Sequence, residues 1–162
     1  MADPVASRPS FPSGYGIRAD EEGLVPWSEA EARLEQARNY WIGTTRPDGS
    51  PHAMPVWGLW VDGSLYFSSG STSRKARNLA VDPRIVIHLE SGDEVVIVEG
   101  SVERVTDESV LRRVGKLYTA KYDFEFDPTG PGDYPVFRVR PHRAYAWLER
   151  DYAGTATIYG FR

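Results

Sequence analysis

The segment HAMPVWGLWVDGSLYFSS, residues 52–69, predicts two β-strands joined by a tight turn. Asp62-Gly63 is a strong indication of a two-residue hairpin, because such turns need a positive φ at their central residues. Pro55 cannot donate a hydrogen bond to a neighbouring strand, so a bulge or an unpaired position is expected there. Gly58 allows another chain segment to approach its backbone closely. These two residues suit a flat ligand lying along the strand and, equally, a corner of a barrel.

Five further strands are expected around this hairpin, from apolar runs bounded by turn residues: 40–45, 84–90, 94–105, 135–140 and 143–149. Consecutive strands with tight turns indicate an antiparallel sheet, and seven strands in a chain of 162 residues favour a closed or nearly closed barrel without free edges. In the strand 94–105 the run Val95–Val98 is apolar throughout, so both of its faces should avoid water. One face can fill the barrel, and the other must meet a helix or a second subunit. A second subunit is favoured, because the helices are too few to cover every strand.

Three helices are expected between these strands. The first covers Ser28 to about Arg38, with Ser28 and Glu31 spaced as a capping box. The second follows Ser73 as N-cap and ends near Val81, before Asp82-Pro83. The third is capped by Thr106 and continues to about Tyr122. Residues 1–26, rich in Pro, Ser and Gly, are predicted to be an N-terminal arm, and residues 27–162 a single barrel domain.

Composition excludes several classes of function. The net charge of −4 argues against a nucleic-acid binder, which usually has a basic footprint. The absence of cysteine excludes disulfides, thiol nucleophiles and cysteine-bound metals. No apolar run approaches the ~20 residues of a membrane span, and no signal-peptide pattern begins the chain, so a cytoplasmic protein without a membrane partner is expected. The histidines, His52, His88 and His142, are widely separated, and no metal site is predicted.

The segment GSTSRKARNL, residues 70–79, places Arg74 and Lys75 in the first turn of the second helix. The N-terminus of a helix is the positive end of its dipole, so cations are unfavourable there on their own. A bound anion such as a phosphate would explain them, because free backbone N–H groups and fixed cations together bind phosphate. A solvated basic face is the alternative.

Three segments carry a family resemblance in their order and spacing: RPDGSPHAMPVW at 46–57, LYFSSGSTSRKARNLAVDPRIVIHL at 65–89 and VVIVEGSVERVTD at 95–107. Together they resemble the pyridoxamine 5′-phosphate oxidase-like split β-barrel, the flavin and deazaflavin oxidoreductase superfamily, over about residues 27–147. The resemblance implies a mainly β fold with flanking helices, an antiparallel FMN-binding split β-barrel. It also implies a homodimer with two cofactor sites at the subunit interface.

The resemblance also implies which residues form that site. The cofactor phosphate would be held by Ser73, Arg74 and Lys75, with Ser69 and Ser71 close by. The ring system would lie beside the second strand, at Met54, Pro55, Val56, Trp57 and Gly58. The other subunit would close the pocket with Val95 and with Trp147 or Tyr159. No catalytic residue is implied, and His52 and Tyr159 are the first residues to test.

The sequence departs from the oxidase in its second strand. An Arg at the start of that strand and a Lys near its end are replaced by Ala53 or Met54 and by Leu59. The resemblance is therefore closer to the branch that includes users of the deazaflavin F420, with FMN as the alternative cofactor. It implies a reductase that transfers a hydride to a small electron-poor organic substrate. A carrier or sensor without turnover is the other possibility, binding a flavin or deazaflavin, or haem through His88.

Overall fold

A closed antiparallel barrel is the centre of the computed structural model, which describes residues 3–12 and 14–162. Its strands are β1 (Val5–Ser7), β2 (Asn39–Thr45), β3 (Pro51–Val61), β4 (Ser64–Ser68), β5 (Arg84–His88), β6 (Glu94–Arg104), β7 (Val136–Leu148) and β8 (Thr157–Gly160). Its helices are α1 (Trp27–Gln36), α2 (Arg74–Val81), α3 (Glu108–Tyr122) and the short α4 (Tyr152–Thr155), which a 3₁₀ turn at Glu149–Asp151 precedes. No helix in these described ranges is both long and apolar enough to cross a membrane.

Six strands close the barrel in the order β7-β4-β3-β2-β5-β6, and β6 pairs back with β7. β8 pairs with residues 143–146 in the C-terminal half of β7, and β1 pairs with β8. The prediction of a mainly β fold with an antiparallel barrel and flanking helices is confirmed. Alternation along β6 places Val96 and Val98 in the barrel core, while Val95 and Ile97 belong to the outer face.

The two strands predicted at 135–140 and 143–149 are one continuous strand, β7. Sequence reasoning separated them at Pro141-His142, where the structure instead has a register shift opposite Glu99 and Gly100. A Cβ atom on Gly100 would lie 2.3 Å from the carbonyl oxygen of Arg140, so only glycine permits this close approach. The irregularity therefore bends a long strand without ending it.

Of the two outcomes expected at Pro55, the bulge is absent, because β2 and β3 pair in register through Trp41 and Pro55, whereas Pro55 is unpaired on the β4 side. The N–H of Gly58 points toward the β2 side of the sheet, where it donates to the Tyr122 hydroxyl. Successive residues point their backbone groups to opposite sides, so position 55 faces the β4 side. β4 pairs only with residues 58–61, so the missing N–H of Pro55 removes no hydrogen bond.

The helices begin close to the predicted positions, but two of the three predicted caps are wrong. Pro26 is the N-cap of α1 and makes no side-chain cap, so Ser28 lies inside the first turn and the capping box does not form. Asp107, and not Thr106, caps α3, and its carboxylate accepts from two backbone N–H groups of the first turn. The cap of α2 is confirmed: the Ser73 hydroxyl accepts from the Ala76 N–H at 3.2 Å.

Part of the predicted arm is folded onto the barrel of its own chain. Residues 5–7 extend the sheet beside β8, and neither strand was predicted from the sequence. The Arg8 guanidinium donates to the carbonyl oxygens of Asp20, at 2.7 Å, and Ala156, at 3.1 Å. Residues 1, 2 and 13 of the arm lie outside the described residues, and the domain boundary at residue 26 stays a prediction.

Candidate functional site

The N-terminus of α2 carries two cations without acidic partners. Arg74 is exposed and Lys75 is half-buried, and the first turn contains no acidic residue. Neither side chain forms an ion pair with any residue in the described ranges. The hydroxyls of Ser69 and Ser73 lie 2.8 Å apart just before this turn. Hydroxyls, backbone N–H groups and cations therefore occur together at the start of α2, which is the combination that an anion site requires.

The loop before α2 is held in place by the segment that enters β7. The Ser69 N–H donates to the Pro135 carbonyl at 3.4 Å, and the Ser71 N–H donates to the Asp133 carbonyl at 3.3 Å. The Ser71 hydroxyl also donates to the Asp133 carboxylate. Because these contacts fix the backbone on both sides of Gly70, the serines are positioned before any ligand binds.

A polar chain links α2 to β2 and β3. The buried Asn78 side chain donates to the Thr44 hydroxyl at 3.0 Å, and that hydroxyl lies 3.4 Å from Nδ1 of His52. Desolvation lowers the pKa of His52, and the charges of Arg46, Lys75 and Arg74 lower it further. His52 therefore favours its neutral form, and its environment is positive. The buried Oδ1 atom of Asn78 has no partner within the described residues.

The predicted ring-binding segment of β3 is divided between two faces. Met54, Pro55 and Trp57 are exposed, whereas Val56 belongs to the barrel core and Gly58 is buried. The Trp57 ring stacks on the ring of Tyr122 in α3, with centroids 4.5 Å apart and an interplanar angle of 8°. A ligand on the outer face would therefore meet Pro55 and Trp57, whereas Met54 points to the same side of β3 as Val56 and is exposed near the start of the strand.

The C-terminus of α3 holds the backbone of Gly58, a role that sequence reasoning missed. The Tyr122 hydroxyl accepts from the Gly58 N–H at 2.9 Å and lies 2.7 Å from the Arg38 carbonyl oxygen. The Lys121 ammonium donates to the Gly58 carbonyl at 2.9 Å and to the Tyr40 hydroxyl at 3.2 Å. Desolvation, followed by the charge of Arg38, lowers the pKa of Lys121 to about 8.

The residues expected to close a partner's pocket lie in different environments. Val95 and Trp147 are directly paired on β6 and β7, and the half-buried Trp147 ring meets Tyr152 edge-on at 5.7 Å. Tyr159 is completely buried in the core of its own barrel, and its hydroxyl donates to the Val25 carbonyl at 2.6 Å. Its side chain therefore presents no surface to a partner, which corrects the expectation for this residue.

A cavity of about 690 Å³ opens on the outer face of the barrel, across β2, β3, β5, β6 and β7. Gly43, Ala53 and Val86 form its apolar floor, and Glu99 and Arg143 lie at its far side. It reaches His52, and so extends toward the charges of Arg74 and Lys75. Its volume falls within the roughly 300–1,000 Å³ typical of small-molecule sites.

His88, the residue considered for haem, is exposed on this same outer face. Its ring is parallel to that of Trp41, with centroids 6.1 Å apart, and its Nδ1 atom lies 2.9 Å from the Leu89 carbonyl oxygen. Nothing in the structure tests haem binding, which stays a prediction. Across residues 3–12 and 14–162, no group of three or more His, Asp or Glu side chains is arranged to hold a metal ion.

The closed barrel with a basic α2 N-terminus defines a split β-barrel of the class that includes flavin-binding oxidoreductases. The family model described as pyridoxamine 5′-phosphate oxidase matches residues 27–148. The chain therefore belongs to the pyridoxamine 5′-phosphate oxidase family, as the sequence resemblance implied. No curated protein matches it.

Solved structures share the fold. A conserved hypothetical protein of Mycobacterium tuberculosis, Rv2991, is 25% identical with a TM-score of 0.71, over 83% of this chain and 91% of its own. A protein described as F420 reductase is 24% identical with a TM-score of 0.59, over 70% and 94% of the two chains. General stress protein 26 of Bacillus anthracis is 20% identical with a TM-score of 0.61, over 74% and 92%. At these two lower identities the likeness shows the fold alone.

Proposed function

We propose that this protein is an oxidoreductase that binds a flavin-type cofactor, F420 in preference to FMN, at the interface of a homodimer. The observation that carries this proposal is the α2 N-terminus, where Ser73, Arg74 and Lys75 converge without an acidic partner in the described part of the chain. Phosphate is the anion that such a combination of N–H groups, hydroxyls and cations binds best. Both F420 and FMN carry one.

The ring system of the cofactor would lie along the outer face of β3. Pro55 and Trp57 offer an exposed apolar surface there, and Lys121 and Tyr122, at the end of that surface next to Trp57, hold the backbone of Gly58. The oxidase's basic residues in this strand are replaced by Ala53 or Met54 and by Leu59, which supports F420 over FMN.

When bound, such a cofactor supplies the hydride that an electron-poor organic substrate accepts. The protein's own residues bind and orient. Lys75 and Arg74 fix the phosphate, the β3 surface excludes water from one side of the ring, and His52, in its neutral form, offers a hydrogen bond near the phosphate end. No side chain is assigned as a proton donor, because a hydride acceptor can take its proton from solvent.

The second subunit would cover the outer face of the barrel. Val86 is 39% exposed on this face, and the half-buried Ile97 and Tyr145, which pair with each other across β6 and β7, lie one outward position further along the sheet, so apolar side chains face outward on three strands. Exposed apolar patches of this kind mark interfaces. Val86→Arg should therefore give a monomer in sedimentation equilibrium at micromolar concentration, with the far-ultraviolet circular dichroism of the wild type. A wild-type protein that is itself monomeric would contradict the proposal.

The decisive experiment is a paired titration of the protein with F420 and with FMN at fixed salt, followed by tryptophan fluorescence. We expect tight binding of F420 and weaker binding of FMN. Lys75→Ala should weaken binding by about 10-fold or more, because a charged hydrogen bond to phosphate contributes about 1.5–3 kcal/mol. Lys116→Ala, which removes an exposed lysine from α3, is the matched control and should bind as the wild type does.

Three results would count against this function. Unchanged affinity in Lys75→Ala would remove the phosphate assignment, and binding of neither cofactor would remove the proposal itself. Tight cofactor binding without reduction of any substrate in a broad panel of electron-poor organic compounds would favour a carrier or sensor.

A further inference from the structure

A second cavity, of about 430 Å³, lies on the far side of β4 from the barrel interior, between α3 and the segment that leads into β7. We call it the aromatic pocket. Its walls are four aromatic side chains, Tyr118, Phe124, Phe126 and Tyr134, and two acidic residues, Glu125 and Asp127, also line it. It shares no lining residue with the larger cavity on the outer barrel face.

The walls of the aromatic pocket are largely preformed. Tyr118 is buried and contacts Phe126 with ring centroids 4.9 Å apart. The Tyr134 ring lies against Gly132, where an added Cβ would come within 3.0 Å of it. The backbone carbonyl of Tyr134 accepts a hydrogen bond from Ser68 at 3.1 Å. Little ordering is therefore needed before a ligand binds, which favours affinity.

Phe124 is 53% exposed and Tyr134 is 62% exposed, so ring faces remain open to a ligand. An aromatic face is electron-rich and attracts a cation within about 6 Å of its centre. A planar ligand between such rings gains both stacking and this electrostatic attraction. The geometry of the walls alone thus favours flat molecules.

The charged side chains that line the aromatic pocket are both acidic, and the one basic charge that acts on them, that of Arg112 on Asp127, comes from outside the lining. Hydrogen bonds from Thr129, at 2.7 Å from its hydroxyl and 2.9 Å from its N–H, lower the pKa of Asp127 and keep it ionised. The Glu125 carboxylate makes no hydrogen bond or ion pair with the residues that the structure describes. No Lys, Arg or His lines the cavity in that part of the chain. An anionic ligand is disfavoured, in contrast to the α2 N-terminus.

We propose that the aromatic pocket binds a planar organic cation, such as an N-alkylated heteroaromatic ring. The volume suits one fused bicyclic ring system, being within the range of about 300–1,000 Å³ for small-molecule sites. The bound cation would lie next to β3, because Phe124 meets the Trp57 ring edge-on with centroids 6.1 Å apart. This binding site stands on its own geometry and does not depend on the cofactor proposed above.

The test uses three probes of similar shape and different charge, with the full-length protein and no cofactor present. These are 1-methylquinolinium, neutral quinoline and anionic 2-naphthoate, measured by equilibrium dialysis at pH 7.5 and two salt concentrations. We expect the cation to bind at least about fivefold more tightly than quinoline, and 2-naphthoate to bind more weakly than either. Added salt should weaken binding of the cation alone.

Two variants locate the binding site. Phe124→Ala and Glu125→Gln each change an exposed side chain, so the fold should persist, and each should weaken binding of 1-methylquinolinium by about fivefold. The controls are Tyr15→Ala, which removes an aromatic ring that is 60% exposed elsewhere, and Glu90→Gln, which changes an exposed acid just after β5. Both controls should bind the probe as the wild type does.

Equal affinity for quinoline and its methylated cation would overturn the charge assignment and with it the proposal. So would wild-type affinity in Phe124→Ala. The cofactor proposal is tested separately, by cofactor binding to Lys75→Ala. If that proposal fails, the binding of 1-methylquinolinium, measured without cofactor, still tests the aromatic pocket.

Discussion

Replacing Tyr122 by phenylalanine tests how β3 is held, because one hydroxyl group serves two backbone groups there. The phenol has one proton and lies 2.9 Å from the Gly58 N–H, 2.7 Å from the Arg38 carbonyl oxygen and 2.8 Å from the Gly58 carbonyl oxygen. It accepts from the N–H and donates its single proton to one carbonyl. Lys121 already donates to the Gly58 carbonyl, so the proton belongs to Arg38.

The expected loss of stability follows from this assignment. Tyr122→Phe keeps the ring that stacks on Trp57 but leaves the buried Gly58 N–H without an acceptor, which costs about 1–3 kcal/mol. The lost hydrogen bond to Arg38 adds about 1 kcal/mol. A total near 3 kcal/mol corresponds to a fall in Tm of about 6–12 °C for a chain of this size.

Urea unfolding and differential scanning calorimetry would measure this loss. Tyr134→Phe is the control, because the Tyr134 side chain is 62% exposed and its hydroxyl makes no hydrogen bond within the described residues. The control should leave Tm within about 2 °C of the wild type. A Tyr122→Phe protein with an equally small change would refute the view that this hydroxyl completes the β2–β3 ladder.

Two other predictions concern Lys121 and Gly100. With a pKa of about 8, against an ordinary value of 10.5, Lys121 releases its proton earlier in the folded than in the unfolded chain. Deprotonation of Lys121 should therefore make the folded state more stable as the pH rises. The urea midpoint of the wild type should increase relative to that of Lys121→Met between about pH 8 and pH 9.5. A difference between the two midpoints that stays constant over this range would contradict the prediction. Gly100→Ala should destabilise the protein by about 3 kcal/mol because its Cβ would meet the Arg140 backbone at 2.3 Å, whereas Gly92→Ala, with open space around it, should be neutral in the same urea titration.

The barrel could be predicted from the sequence because the turns and helix caps that delimit its elements depend on residues close together in the chain. The Asp62-Gly63 turn adopts the positive φ values that the hairpin requires, 51° and 67°, and β3 and β4 follow from it. Ser73 caps α2 as expected, since a cap depends on residues three positions apart. The short strands β1 and β8 were missed because three or four residues carry too little periodicity.

Sequence reasoning could bring candidate site residues together only where they are consecutive in the chain. Ser69 to Lys75 form one such run, and the structure holds it in a single loop and helix turn. Gly58, in contrast, depends on Tyr122, which is 64 residues away, and no pattern within α3 distinguishes that tyrosine from an ordinary core residue. The prediction that Tyr159 closes a partner's pocket failed because it also depends on residues distant in the chain. Only the pairing of β8 with β7 directs the Tyr159 side chain into the core.

The two candidate sites differ in the sign of their charge, and that difference constrains the chemistry more than the fold does. Cations at the α2 N-terminus favour an anionic cofactor, and the carboxylates at the aromatic pocket disfavour one. Trp57 lies on the exposed face of β3, where the cofactor ring is proposed to bind, and it also contacts Phe124 of the aromatic pocket. A cofactor and a cationic ligand could therefore occupy neighbouring surfaces without competing, and each would lower the electrostatic free energy of binding the other. Affinity for 1-methylquinolinium should accordingly increase when F420 is present, and by reciprocity the affinity for F420 should increase with the cation.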